Sequence, residues 1–422
     1  MHRSLKSLLV AVLAAIPLLN MASGYGGSLL SYLAIVMALA LLAWPRSAPS
    51  PDALTATGYR VFIVLMCLPM LTVVLSQWAK HGWSSSDIER AFRLGPSVVI
   101  LLFALLRIDE QKLRFAILGT LGAAVVGAAT VLELALTTSG RPVTGDYNAV
   151  SYANLLLLFG CMSLYSLAVP FSRHPRAERI AKLLITAASV IGVILTFTRS
   201  TWMAFPIFAA IGLVLFFPKI RPVRLVAAML AFTAAASALA FSSSGFRERI
   251  YLAQQEIHEC MTQNDRADSS VCIRVQLARA AWHMFQQDPW LGSGNGKRYE
   301  QSLPRLQEAG IVSEYVTNNF GETHNDMLMA MASYGILGAS ALLIVYFAPA
   351  VVFLRRLRQP LAMPARASAA MGLALCLSFV VFGLTELMFR GMRTISMYGM
   401  LIALFLALSH PRSATGSPAE RR

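Results

Sequence analysis

The stretch LRFAILGTLGAAVVGAATVLELALT, residues 113–137, decides the fold class. Between Arg114 and Glu133 it carries no charge. As a helix rising about 1.5 Å per residue, such a stretch is long enough to cross the roughly 30 Å hydrocarbon core of a bilayer. Similar runs recur on both sides of it, near 5–23, 27–44, 59–79, 91–107, 149–171, 180–198, 200–217, 223–241, 336–354, 366–386 and 392–409. The expected fold is therefore an all-α integral membrane protein of about twelve transmembrane helices. Composition agrees. Of 422 residues, 56% are hydrophobic and 14% charged, against about 25% charged in soluble domains, so there is too little charge to cover a soluble surface. A soluble enzyme, a disordered chain and a disulfide mini-domain are excluded, and the strict alternation of a membrane barrel is absent.

The formal net charge of +15 is a topology signal. With the N-terminus inside, most of the 36 Lys and Arg fall on segments facing the cytoplasm, as the positive-inside rule expects. Both termini are then cytoplasmic, and the charge points to no nucleic acid. Arg3 and Lys6 precede an apolar run that reads as a retained first span, not a cleaved leader. The long connection after span nine faces outward. The expected units are spans one to nine over 1–241, a helical periplasmic loop subdomain over 242–335, spans ten to twelve over 336–409, and a cytoplasmic tail over 410–422. Within the loop, Ser270–Gln287 has helical spacing with a stop at Pro289, and Asp268, Ser269 or Ser270 can cap it. Cys67, Cys161 and Cys376 lie in spans. Cys260 and Cys272 share the loop, and an oxidising compartment favours a disulfide between them.

Three motifs carry chemistry. In Thr196-Phe197-Thr198-Arg199-Ser200-Thr201, Arg199 falls at the outer junction of two spans, where a cation needs an anionic partner or water. Arg274 lies in the first turns of the loop helix, whose backbone N–H groups favour an anion, with Trp282 on the same face. Gly292-x-Gly294-x-Gly296 follows as a tight turn. In Thr323-His324-Asn325-Asp326, Thr323 and Asp326 read as a capping box that puts His324 on the first helical residue. There the positive helix end keeps the imidazole neutral, as a general base requires. No His shows metal-ligand spacing with a partner, and Asp87-Ile88-Glu89 reads as a solvated turn, so no metal is expected.

Together these motifs resemble the O-antigen ligase and polymerase superfamily, membrane enzymes grouped with the GT-C glycosyltransferases. The matching residues are Thr198-Arg199-Ser200; Arg274, Trp282, Pro289, Gly292 and Gly294; and His324-Asn325 followed by Gly335-Ile336-Leu337-Gly338. The match is densest over about 190–355. The resemblance implies a bacterial inner-membrane glycosyltransferase, an undecaprenyl-pyrophosphate-linked O-antigen donor, a lipid A–core acceptor, a periplasmic active site and no cofactor. It implies Arg199 and Arg274 as catalytic holders of the pyrophosphate, because Arg contacts phosphate bidentately, and His324 as the base. Asn325 is assigned to orienting the ring or binding a glycan hydroxyl. Arg141, Lys297, Arg298, Arg390 and Arg393 are assigned to attracting anionic substrate. A repeat-unit polymerase and a protein O-oligosaccharyltransferase are the rivals within the superfamily. A twelve-span transporter or flippase is the rival outside it, and it should show broken helices at mid-bilayer.

Overall fold

The computed structural model describes residues 2–23, 26–44, 52–138, 148–219, 244–262, 268–389 and 391–411, with Pro142, Arg221, Val223, Arg224, Ala227 and Ala231. Among the described residues the chain is helical, with no strand. The helices of the apolar bundle are α1 (His2–Ala22), α2 (Gly26–Ala43), α3 (Asp52–Ala79), the amphipathic α4 (Ser85–Leu94), α5 (Pro96–Leu105), α6 (Leu118–Thr137), α7 (Ala149–Tyr165), α8 (Pro175–Leu195) and α9 (Phe205–Phe216). A polar set follows: α10 (Ser244–Thr262), α11 (Ser270–Gln287), α12 (Lys297–Glu308) and α13 (Glu314–Asn319). The chain then returns to the apolar bundle in α14 (Asp326–Arg358), α15 (Met363–Phe382) and α16 (Met392–Leu408).

Six of the described helical stretches are long and apolar enough to cross a membrane: Ser4–Ala22, Tyr59–Ala79, Glu110–Thr137, Ala149–Ala168, Asp326–Arg358 and Met363–Phe382. Gly27–Ala43, Ser200–Phe216 and Met392–Leu408 are shorter apolar helices. Several expected spans differ from what the structure contains. The one at 91–107 is broken at Gly95, which has non-helical angles (φ −120°, ψ −91°) between α4 and α5. There α3 packs so close that a Cβ on Gly95 would lie 2.0 Å from the Met66 carbonyl oxygen. The one at 180–198 begins at Pro175 and carries Arg176, Glu178, Arg179 and Lys182 in its first turns. The one at 336–354 follows a helical segment that starts at Asp326; the two meet at a non-helical break at Gly335 (φ 63°, ψ −152°), where the unit boundary is expected. The one at 223–241 lies almost wholly outside the described residues.

The bundle's two ends are built differently. At one end, buried or half-buried cations donate to the last carbonyls of helices. Arg107 donates to Leu41 O (2.6 Å) and Leu42 O (3.1 Å) at the end of α2. Lys182 donates to Ser166 O and Val169 O (2.7 Å each) beyond α7. Arg356 donates to Leu406 O (2.6 Å) in α16 and also to Tyr59. Arg366 donates to Val214 O (3.1 Å) in α9 and Leu357 O (3.3 Å) in α14. Each meets the partial negative charge of a helix C-terminus. The opposite end carries the starts of α7, α14 and α16, and over it sit α11–α13. Ile273, Leu277, Ala280, Ala281 and Met284 of α11 form a small apolar core with Tyr299, Leu303, Leu306, Val312 and Val316, closed below by Ala332 of α14. A disulfide joins Cys260 of α10 to Cys272 of α11, their Cα atoms 5.4 Å apart. The α11 helix is capped by Ser269, whose Oγ accepts from Cys272 N.

Candidate active site

His324 is not on the first helical residue. Its backbone is left-handed (φ 50°), a conformation that L-residues adopt only when surroundings hold it. The N-cap of α14 is Asn325, whose Oδ1 accepts from Leu328 N (2.9 Å). Thr323 is spent on Asn325 instead: its Oγ1 donates to Asn325 O (2.6 Å) and accepts from Asn325 N (3.2 Å). The expected capping box is thus absent, and the argument that a helix end keeps His324 neutral loses its geometry. What surrounds the ring is acidic. Nδ1 lies 3.5 Å from Oε1 of Glu386 and 3.8 Å from Oε1 of Glu322. Phe320 meets the ring edge to face, with centroids 5.7 Å apart. His324 is partly exposed while both glutamates are buried.

Glu386 reaches this place because the 383–389 loop is pinned from two helix starts. Asn148 caps α7 through Oδ1, which accepts from Ser151 N (2.7 Å), and donates Nδ2 to Glu386 Oε1 (2.9 Å). Asn325 does the same for α14 and donates Nδ2 to Leu384 O (3.1 Å). Buried Asp326 completes the clamp: its N–H donates to Gly383 O (2.8 Å), Oδ1 accepts from Phe389 N (3.2 Å), and Oδ2 accepts from the Tyr346 hydroxyl (2.8 Å). Burial pushes the Glu386 carboxyl up. The hydrogen bond and charge of His324 and the Asn148 donor outweigh burial and hold it below its ordinary value.

The glycine turn docks on the kink of α14. Gly292 (φ 61°) and Gly294 (φ 99°) are left-handed. Ser293 N donates to Ala332 O (3.0 Å), Gly294 N to Ser333 O (2.8 Å) and Ile336 N to Pro289 O (2.8 Å). A Cβ on Gly335 would stand 2.4 Å from the Trp290 carbonyl carbon, and one on Gly292 2.5 Å from Tyr334 N. Two positive-φ glycines therefore interlock loop and helix. Asp87 is buried, not a solvated turn: it accepts from Arg90 (2.9 Å) and from Gly296 N (3.0 Å), tying α4 to the start of α12. Glu89 pairs with Arg93 and Tyr32. Between α3, α4, α12 and α14 lies a cavity of about 520 Å³. Glu322, Glu300, Lys297 and Asn318 line its polar side, and Val73, Leu342 and Val345 its apolar side.

Of the other expected site residues, Arg199 is exposed and starts a short 3-10 turn, Ser200–Ala204. Its segment packs on α7, with Thr201 Oγ1 donating to Asn154 Oδ1 (2.6 Å). That links it to the helix whose cap holds Glu386. Arg274 is exposed on α11, whose buried face reaches α14 and Phe320, the ring against His324. Lys297 is exposed at the start of α12. Arg298 is engaged with the backbone, donating to Lys80 O (3.1 Å) and Ser293 O. Arg393 donates to Ser23 O (3.3 Å). Arg141 and Arg390 lie outside the described residues. Glu322, Glu386 and Asn148 escaped the sequence reading. The spacing Glu322-x-His324 was visible; nothing local ties Glu386, 62 positions on, to His324.

Glu322, His324 and Glu386 offer ligand atoms within 4.8 Å of one another, so this triad is also the set that fits a divalent cation. The sequence reading found no His with such a partner; the fold supplies two. Binding there would engage the imidazole as a ligand and remove it as a proton acceptor.

No curated protein matches the chain. The family model described as O-antigen ligase matches residues 184–343. The matched stretch contains Arg199, Arg274, the glycine turn, the kink of α14 and His324, so over these residues the chain is similar to the O-antigen ligase family.

Proposed function

We propose that the protein is an O-antigen ligase of the bacterial inner membrane, transferring a glycan from undecaprenyl pyrophosphate to a sugar hydroxyl of lipid A–core. The observation that carries the reading is the O-antigen ligase match over 184–343, with His324 and two buried carboxylates gathered inside or beside it. The proposed topology keeps about twelve spans, both termini in the cytoplasm and the His324 end in the periplasm. Exposed Trp78, Trp83, Trp202 and Trp290 at that end suit a membrane–water boundary, where Trp concentrates. The cavity's polar and apolar sides suit a donor that is glycan at one end and polyprenyl at the other.

In the proposed reaction Arg199 and Arg274 hold the pyrophosphate. The acceptor oxygen gives its proton to His324 and attacks the anomeric carbon. The bond from that carbon to the phosphate oxygen breaks, its electron pair staying on the pyrophosphate, with inversion. Arginine is suited to the charge that grows on the leaving group. A single large loop beside the His favours the ligase over the polymerase. Deleting the gene tests the reading: rough lipopolysaccharide with accumulated lipid-linked polymer is expected, whereas core bearing one repeat identifies a polymerase. Reporter fusions at Asp265 and Ser417 should report opposite sides of the membrane.

A further inference from the structure

His324 is held by acids from two directions, and the two are not equivalent. Glu322, on the strand of chain leading into α14, lines the cavity. Glu386 comes from the 383–389 loop and is fixed by a donor from a third element, Asn148 at the cap of α7. The atom that accepts from Asn148 Nδ2 at 2.9 Å, Oε1, is the same atom that faces His324 Nδ1 at 3.5 Å. A carboxylate oxygen held in place by one N–H donor and aimed at an imidazole nitrogen is arranged to accept that nitrogen's proton in a hydrogen bond. A metal on the same oxygen would compete with the amide donor. With a proton kept on Nδ1, the lone pair of a neutral imidazole lies on Nε2.

We infer that Glu386, fixed by Asn148, is the positioning residue that keeps the His324 proton on Nδ1, so that Nε2 takes the proton of the acceptor hydroxyl. This rests on the ligase reading only for the identity of the acceptor. In the step, the hydroxyl proton moves to Nε2, the imidazolium is stabilised by ionised Glu386, and the proton later leaves to water. The carboxylates facing the ring are Glu322 before α14 and Glu386 from the 383–389 loop. Behind them, Tyr299 of α12 neighbours Glu322, Asp326 neighbours Glu386, and Glu300 abuts Gly321.

The test uses the full chain in nanodiscs with ¹⁵N-labelled histidine, assigned through His324→Gln. Glu386→Gln is expected to mix the two tautomers of His324, read from its Nδ1 and Nε2 shifts. Asn148→Ala should mix them to a smaller extent. With undecaprenyl-pyrophosphate O-antigen as donor and lipid A–core as acceptor, Glu386→Gln should lower kcat by roughly tenfold or more at unchanged donor KM. Glu386→Asp should recover part of the rate. An unchanged tautomer in Glu386→Gln overturns the inference; if that variant does not fold, an unchanged tautomer in Asn148→Ala does so. Transfer lost on EDTA treatment and restored by Zn²⁺ or Mg²⁺ would make the carboxylates metal ligands and also overturn it. The expected tautomer shift in a wild-type protein that transfers no glycan would leave the dyad standing and remove the ligase reading.

Discussion

The two ends of α14 use the same side chain for opposite purposes. At its C-terminal end, Arg356 is buried and donates to Leu406 O, Ser409 and Tyr59, while Arg366 closes α14 and α9. Toward its N-terminal end a histidine is flanked by carboxylates, and Arg199, Arg274 and Lys297 are exposed on the neighbouring segments. Carbonyls at helix C-termini carry partial negative charge and saturate guanidinium donors. Where helices begin, the exposed backbone groups are N–H donors, which attract anions and offer a cation nothing. Arg274 and Lys297 at the starting end are exposed, and Arg356 and Arg366 at the finishing end are spent on carbonyls. Counting basic residues cannot separate the two groups.

The comparison breaks most readily at His324. His324→Ala should lower transfer by about 10²–10⁴-fold while the assembled protein still binds lipid-linked donor. His324→Gln should be nearly as inactive, because it hydrogen-bonds but takes no proton. A fully active His324→Gln protein would reduce the residue to a positioning role. Next come the arginines. Arg199→Ala and Arg274→Ala should abolish transfer with normal expression and unchanged thermal unfolding, and Arg→Lys should rescue poorly because the bidentate fork is lost. Arg356→Ala should do the reverse, costing about 2–4 kcal/mol of stability through lost charged hydrogen bonds at a buried helix end. Equal effects at both ends, read by unfolding and transfer side by side, would erase the distinction.

A smaller effect is expected where the loop meets the kink. Gly335→Ala places a Cβ 2.4 Å from the Trp290 carbonyl carbon at φ 63° and should cost roughly 1–3 kcal/mol. It should loosen the contact of α11 with α14, seen as faster hydrogen exchange over 289–294; unchanged exchange would show that the interlock is not needed. The smallest effect concerns Asp288, which pairs with Lys80 beside the same turn. Burial raises its carboxyl, but the Lys80 hydrogen bond and charge and the Leu291 N–H lower it further, leaving it below the ordinary 3.8. Its stabilisation is complete above that value and is lost as pH falls through the lowered one. Asp288→Asn should thus melt below wild type at pH 7, with the gap closing toward pH 2. A gap independent of pH would assign the loss to packing.

Elements whose cause is local were legible. The helix over Ser270–Gln287 has the expected bounds, since its cap, its apolar period and its proline stop all lie within a few residues. The left-handed turn at Gly292 and Gly294 is likewise written in its glycines. Misreadings arose where a distant element intervened. Gly95 breaks a span because α3 approaches it, and Asp87 is buried because Gly296 arrives from far along the chain. Asn325 took the cap that Thr323 was expected to hold.

What the sequence determined by itself is the helical, membrane-crossing character of the chain and the identity of Arg199, Arg274 and His324 as candidates. Apolar run length and motif spacing are properties of contiguous residues. What only the tertiary structure decided is the surroundings of His324. Glu386 and Asn148 are 238 positions apart, and each side chain alone is an ordinary polar group. They meet at the imidazole because the starts of α7 and α14 converge on one loop, and a carboxylate can be held buried and ionised only where such donors gather around it.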